Sequence, residues 1–192
     1  MTESPSSVRA GAATFRPVLI RPAVVADSTG ILEIYNHEVL TSVVTFDLVP
    51  RTEGEQREGI SDRSGAHAVV VAVLPAPTDD VEADDAVGGE RIIGFGALSP
   101  YRERPGYAAT VEDSVYVHRD HRGDGVGAAI LDALVGTARA HGFHALMAKV
   151  VDGHRASISL HETAGFEVVG KELQVGRKFG RFHDVVVLER LL

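Results

Sequence analysis

A chain of 192 residues with 44% apolar side chains holds enough material for one domain with a substantial core, and its formal charge is -8. It contains no cysteine, which excludes disulfides, thiolate metal sites and cysteine nucleophiles. The negative balance has no basic cluster to offset it and there is no long apolar segment or signal-like start, so the expectation is a soluble cytoplasmic protein with neither a nucleic-acid nor a membrane partner.

Residues 1–14 are small, polar and poor in helix formers, and read as a flexible tail ahead of a single domain over 15–192. Phe15 to Arg21 predicts a first strand. From Ala23 onward, Ile31, Ile34 and Tyr35 share one face of a predicted helix, and residues 53–63 form a weaker helical candidate. Ala68 to Leu74 and Arg91 to Leu98 read as consecutive strands. Between them, near 75–90, lies an insertion carrying Pro75, Pro77 and the acids Asp79, Asp80, Glu82, Asp84 and Asp85. These acids lack a spaced ligand pattern with a rigid turn, so they read as a solvated loop and no metal is expected.

Thr110 to Val117 is rich in β-branched residues and predicts a strand carrying Glu112. Next comes Arg122-Gly123-Asp124-Gly125-Val126-Gly127, and then a helix with Ile130, Leu131, Leu134, Val135 and Ala138 on one face. His144 to Val151 reads as a strand and Arg155 to Ala164 as a short helix capped by Gly165. Phe166 to Gln174 and Phe182 to Leu188 read as a final strand pair. The class is α/β, with a mixed sheet and flanking helices.

The glycine run can turn consecutive backbone amides toward one anion at a helix start. It formally satisfies the dinucleotide pattern, but no isolated acid follows about 20 residues later. Ala128-Ala129 stands where a nucleotide-phosphate loop needs Lys and then Ser or Thr. Taken alone, the glycines could also serve only a tight strand-to-helix turn.

Arg122 to Gly127 resembles the acetyl-coenzyme A pyrophosphate loop of the GNAT acetyltransferase superfamily: Arg or Gln, two residues, Gly, one residue, then Gly or Ala. The similarity runs from Ile20 to about Glu189. It includes Ile34-Tyr35-Asn36-His37, Thr45-Phe46, the whole Thr110 to Val117 strand, Leu160-His161-Glu162 and Gly176 to Gly180, and it points to the phosphinothricin and methionine sulfoximine acetyltransferase branch. This resemblance implies the GNAT acyl-CoA N-acyltransferase fold, whose mixed, mostly antiparallel sheet has two parallel strands that splay to admit the pantetheine arm. It also implies acetyl-coenzyme A as cosubstrate and a homodimer. The coenzyme residues it implies are Val115, Tyr116, Val117, Arg122, Gly123, Asp124, Gly125, Val126, Gly127, Ala128, His154 and Ser157.

Amine acetylation needs an uncharged amine, and free amines are mostly protonated near neutrality, so a general base is useful. Glu112 and Asp113 point to opposite sides of a strand, and composition does not choose between them. The resemblance chooses Glu112. His161 stands where many relatives carry Tyr, which suggests an acid that protonates the departing thiolate, although it could equally be a substrate contact or a hydrogen-bonded helix residue. His154 replaces the family's usual Asn, and Phe182 its usual Trp. The resemblance places Arg102 and Arg104 at the acceptor site, where guanidinium groups can hold a carboxylate. Phe46 and Tyr107 are candidate apolar walls, and Lys178 a candidate anion partner. The leading function is N-acetyl transfer to a small amino-acid-like amine such as phosphinothricin, methionine sulfoximine or methionine sulfone. A protein or peptide N-acetyltransferase and a nonenzymatic acetyl-coenzyme A sensor are the alternatives.

Overall fold

Apolar and β-branched runs form the sheet and amphipathic segments cover its two faces. The computed structural model describes residues 18–63, 65–67, 69–75 and 90–192. The expected tail, the start of the first strand and nearly all of the acidic insertion lie outside the described residues. The elements are β1 Leu19–Pro22, α1 Ser28–Thr41, α2 Glu53–Ser61, β2 Val69–Pro75, β3 Glu90–Pro100, β4 Thr110–Val117, α3 Val126–Ala140, β5 Ala145–Val151, α4 Arg155–Thr163, β6 Glu167–Lys178 and β7 Arg181–Leu191. The weaker candidate at 53–63 is a true helix, because Thr52 and Glu55 cap it reciprocally. The Glu55 amide donates to Thr52 Oγ1 at 3.3 Å, and the Thr52 amide donates to Glu55 Oε2 at 2.8 Å.

Among the described residues, seven strands form one sheet in the order β1-β2-β3-β4-β5-β7-β6, with β4 and β5 its only parallel neighbours. That pair is short: Thr110 faces Ala145, Val111 faces Leu146, Glu112 faces Met147, and pairing then stops. Each strand continues along its other neighbour, β4 on β3 to Val117 and β5 on β7 to Val151. The sheet therefore forks after Glu112 and Met147.

Alternation divides the core in two. Val70 and Ala72 of β2 face α3, where they join Ile130, Leu131, Leu134 and Val135; Val69, Val71 and Val73 face α1 and join Ile31, Ile34 and Val39. On β3, Gly94 and Gly96 let α3 seat almost against the backbone. A Cβ at Gly96 would lie 2.5 Å from Ile130 Cγ2, and one at Gly94 would lie 2.8 Å from Ile130 Cδ1. Since the glycine loop leads into α3, this close seat fixes where the loop sits relative to the fork.

Candidate active site

The fork opens into a cavity of about 660 Å³, lined by β4 from Glu112 to Val117, β5 from Ala148 to Val151, the glycine loop, α4 and Glu38 of α1. Glu112, Val115, Tyr116, Val117, Arg122, Gly123, Gly125, Gly127, Ala128, His154, Ser157 and His161 are thus brought together.

At its loop end the cavity is built from backbone. Gly125 stands before the first turn of α3 with φ +81°, and no side chain caps the helix. The first helical bond runs from the Ala129 amide to Gly125 O at 3.1 Å, leaving the amides of Val126, Gly127 and Ala128 without a helical acceptor. A Cβ at Gly123 or Gly125 would meet nothing within 4 Å, so the left-handed backbone, not space, demands glycine at Gly125. Unsatisfied donors at the positive end of a helix suit a pyrophosphate. Arg122 adds less charge than its sequence position suggests, because its guanidinium is paired with the buried Glu38 carboxylate.

Two residues of this stretch contribute differently from the expectation. The Val126 side chain belongs to the core beneath the loop, and Asp124, which is not part of the cavity lining, lies 3.7 Å from His121. The Tyr116 ring, partly buried, packs against the α1-side core, stacked on Phe95 at 5.0 Å and edge-on to Tyr35 at 5.2 Å.

His154 caps α4: its Nδ1 accepts from the Ser157 amide at 3.2 Å. A nitrogen that accepts carries no proton, so the imidazole is held as the Nε2–H tautomer. The imidazole thereby takes over the capping task that a side-chain amide oxygen performs.

Glu112 lies half-buried at the fork. Burial raises its carboxyl pKa, Lys149 and Arg102 oppose the shift, and the negative fields of Asp113 and Glu172 reinforce it. Asp113 points to the other face of the sheet, where its Oδ2 meets His161 Nε2 at 3.1 Å, the two side chains being 2% and 5% exposed. His161 Nδ1 lies 2.7 Å from the Ser157 carbonyl. A carbonyl only accepts, so Nδ1 carries a proton and Nε2 is the nitrogen that faces Asp113. Burial lowers the His161 pKa, but the Asp113 hydrogen bond and charge, together with the Ser157 carbonyl, outweigh it and leave it raised. With both ring nitrogens engaged, His161 offers no free N–H to a thiolate in this arrangement; it ties α4 to the fork through Asp113.

The expected acceptor residues do not line the cavity formed by this chain. Arg102, Arg104 and Tyr107 line a separate concavity, with Arg102 stacked over Tyr101 and Tyr107. Lys178, 3% exposed, donates to the Thr45 carbonyl at 2.8 Å and so clips β6 to the segment after α1. Phe46 packs over Gly176, where a Cβ would fall 2.2 Å from its ring. Phe182 is 62% exposed on the β6–β7 hairpin beneath Arg177. The sequence reading missed Lys149 and Glu38, which do line the cavity, and the part played by Asp113. Strand parity was the available signal for Lys149, but using it requires the β4–β5 register. Among the described residues no group of His, Asp or Glu is arranged to hold a metal ion, and no helix is long and apolar enough to cross a membrane.

Comparisons with known proteins agree with this geometry. The model of the acetyltransferase (GNAT) family matches residues 48–166. An N-acetyltransferase of Streptomyces griseus is 39% identical over 90% of this chain and 86% of its own length. An L-methionine sulfoximine/L-methionine sulfone acetyltransferase of Pseudomonas paraeruginosa is 37% identical over 88% of this chain and 92% of its own. The crystal structure of a GNAT superfamily phosphinothricin acetyltransferase from Sinorhizobium meliloti, in complex with acetyl-coenzyme A, superposes with a TM-score of 0.79 at 35% identity, covering 91% of this chain and 88% of that one. A forked mixed sheet, an uncapped glycine turn beside the fork and relatives matching almost end to end leave one assignment: this chain belongs to the GNAT family of acetyl-coenzyme A-dependent N-acetyltransferases.

Proposed function

We propose that this enzyme acetylates the amine of a small amino-acid-like acceptor, of the methionine sulfone, methionine sulfoximine or phosphinothricin type, with Glu112 as general base. One observation carries the reading: a half-buried carboxylate at the fork edge shares a single cavity with the coenzyme-binding turn. Bound acetyl-coenzyme A supplies the acetyl thioester. Glu112 takes a proton from the acceptor ammonium, directly or through water, and its raised pKa brings it closer to the amine it must deprotonate. The buried Asp113–His161 pair positions α4 against β4, so that the fork keeps its width. The activities for which relatives similar over most of the chain are named favour free amino acid analogues over peptides.

The test is thiol release from acetyl-coenzyme A over free amino acids, their sulfone, sulfoximine and phosphinic analogues, polyamines and peptides. The analogues should be turned over most efficiently. Release with peptides alone would replace this reading by protein acetylation, and coenzyme binding with no turnover on any amine would replace it by a sensor.

We also propose a homodimer. β6 is a twelve-residue edge strand, and its hairpin with β7 leaves Val168, Val169, Leu173, Val175, Phe179 and Phe182 exposed. A long apolar edge of this kind is a liability unless another chain covers it. Light scattering over a range of concentrations should give twice the chain mass; a persistent, fully active monomer would refute the pairing.

A further inference from the structure

An amino acid presents two charges on one carbon, so whatever holds its carboxylate must stand beside the base that receives its amine. Arg102 and Arg104 line a different concavity, although the Arg102 charge also reaches Glu112, and Arg122 is committed to Glu38 at the loop end. Among the described residues lining the fork cavity, the remaining Lys or Arg is Lys149. Its position follows from register. Met147 is the residue opposite Glu112 across the parallel pair, and Lys149 lies two positions further along β5, which puts it on Glu112's side of the sheet. Packing agrees, because Leu146, Ala148 and Val150 fill the opposite, α3-facing core.

The Lys149 ammonium reaches the Glu172 carboxylate of β6 at 3.7 Å, with the two side chains 34% and 38% exposed. A long ion pair between side chains this open to solvent contributes little and is easily exchanged. Its cation also acts on Glu112, against the effect of burial, so the two groups are electrostatic neighbours.

We propose that Lys149 binds the α-carboxylate of the acceptor, and that Glu172 occupies Lys149 while no acceptor is bound. This rests on the amino-acid acceptor reading given above. Acceptor binding exchanges one carboxylate for another at Lys149, and Glu112 faces the amine on the same carbon. Lys149 is then the residue that distinguishes a free amino acid from its carboxyl amide.

The experiment compares wild type with Lys149→Met, Lys149→Arg and Glu172→Gln, using methionine sulfone and its carboxyl amide. In Lys149→Met, KM for the acid should rise about 10-fold or more with the loss in KM rather than in kcat, and the acid-over-amide preference should collapse. Lys149→Arg should restore part of that preference, and Glu172→Gln should keep it. Calorimetric titration of methionine sulfone into the protein saturated with coenzyme A should lose its signal in Lys149→Met. In the unliganded protein, the Glu112 carboxyl followed by NMR should titrate at higher pH once the cation is gone, with Asp113, Glu172 and Arg102 still around it. A folded Lys149→Met protein with unchanged acid preference would overturn the role of Lys149 and leave the acceptor class standing. Failure of wild type to acetylate any free amino acid would overturn both.

Discussion

Glu112→Gln should cut acetyl transfer by about 10²- to 10⁴-fold, the range for removal of a positioned general base. The amide keeps the size of the side chain and Glu112 packs at the edge of the cavity, so coenzyme affinity and thermal stability should stay close to wild type. The pH profile supplies the stricter check. A base works deprotonated, so the rate rises as pH passes through the Glu112 pKa. Burial and the nearby Asp113 and Glu172 raise that pKa while Lys149 and Arg102 hold it back. The ascending limb in wild type should therefore lie above the ordinary carboxyl range, and it should be absent from Glu112→Gln. Turnover near the wild-type level, with the limb intact, would make Glu112 structural and send the search for the base to an ordered water.

The second large effect is expected at the glycine turn. Gly125→Val places a β-branched side chain at φ +81°, a conformation such residues rarely adopt, at a strain of about 1–3 kcal/mol. The backbone escapes that strain only by rotating, which turns the amides of Val126, Gly127 and Ala128 away from a common anion. Acetyl-coenzyme A and coenzyme A should both bind about 10- to 100-fold more weakly by calorimetry, equivalent to about 1.4–2.8 kcal/mol. Gly136→Ala is the matched control. Gly136 lies inside the same helix, where a Cβ would meet nothing within 4 Å, so the exchange should leave coenzyme affinity intact and slightly stabilise the fold. Equal losses in both variants would mean that α3 responds to any added side chain and that the turn geometry is not what binds.

Most of the elements were legible because periodicity is a local property. The apolar face of α3 and the alternating run of β2 appear in the sequence much as they pack. Helix α2 was readable too, since Thr52 and Glu55 stand three apart in the reciprocal capping pattern, but its weak apolar stripe drew attention away from the caps. The site was legible where it is made of one continuous segment, as in the turn from Arg122 to Gly127. It was not legible where it depends on long-range register. Asp113 meets His161 across 48 positions, and Lys149 joins Glu112 only because β4 and β5 align Glu112 with Met147. Arg102 and Arg104 look like carboxylate ligands by residue type, but the chain after β3 turns them into a separate concavity. Lys178 illustrates the reverse case: a lysine that reads as an anion ligand in the sequence spends its ammonium on the Thr45 carbonyl.

The seating of α3 on Gly94 and Gly96 bears on the entropy of binding. The glycine turn is the front end of a helix whose Ile130 already fills the space a β-carbon would need, so the helix has little room to tilt or slide. A turn mounted this way is ordered before any ligand arrives, and little freedom remains for it to lose on association. Flexibility needed for entry and release then falls to the other walls of the cavity. On the α1 side, Arg122 and Glu38 span the gap through side chains alone, so it can loosen without disturbing the packed helix beneath the turn.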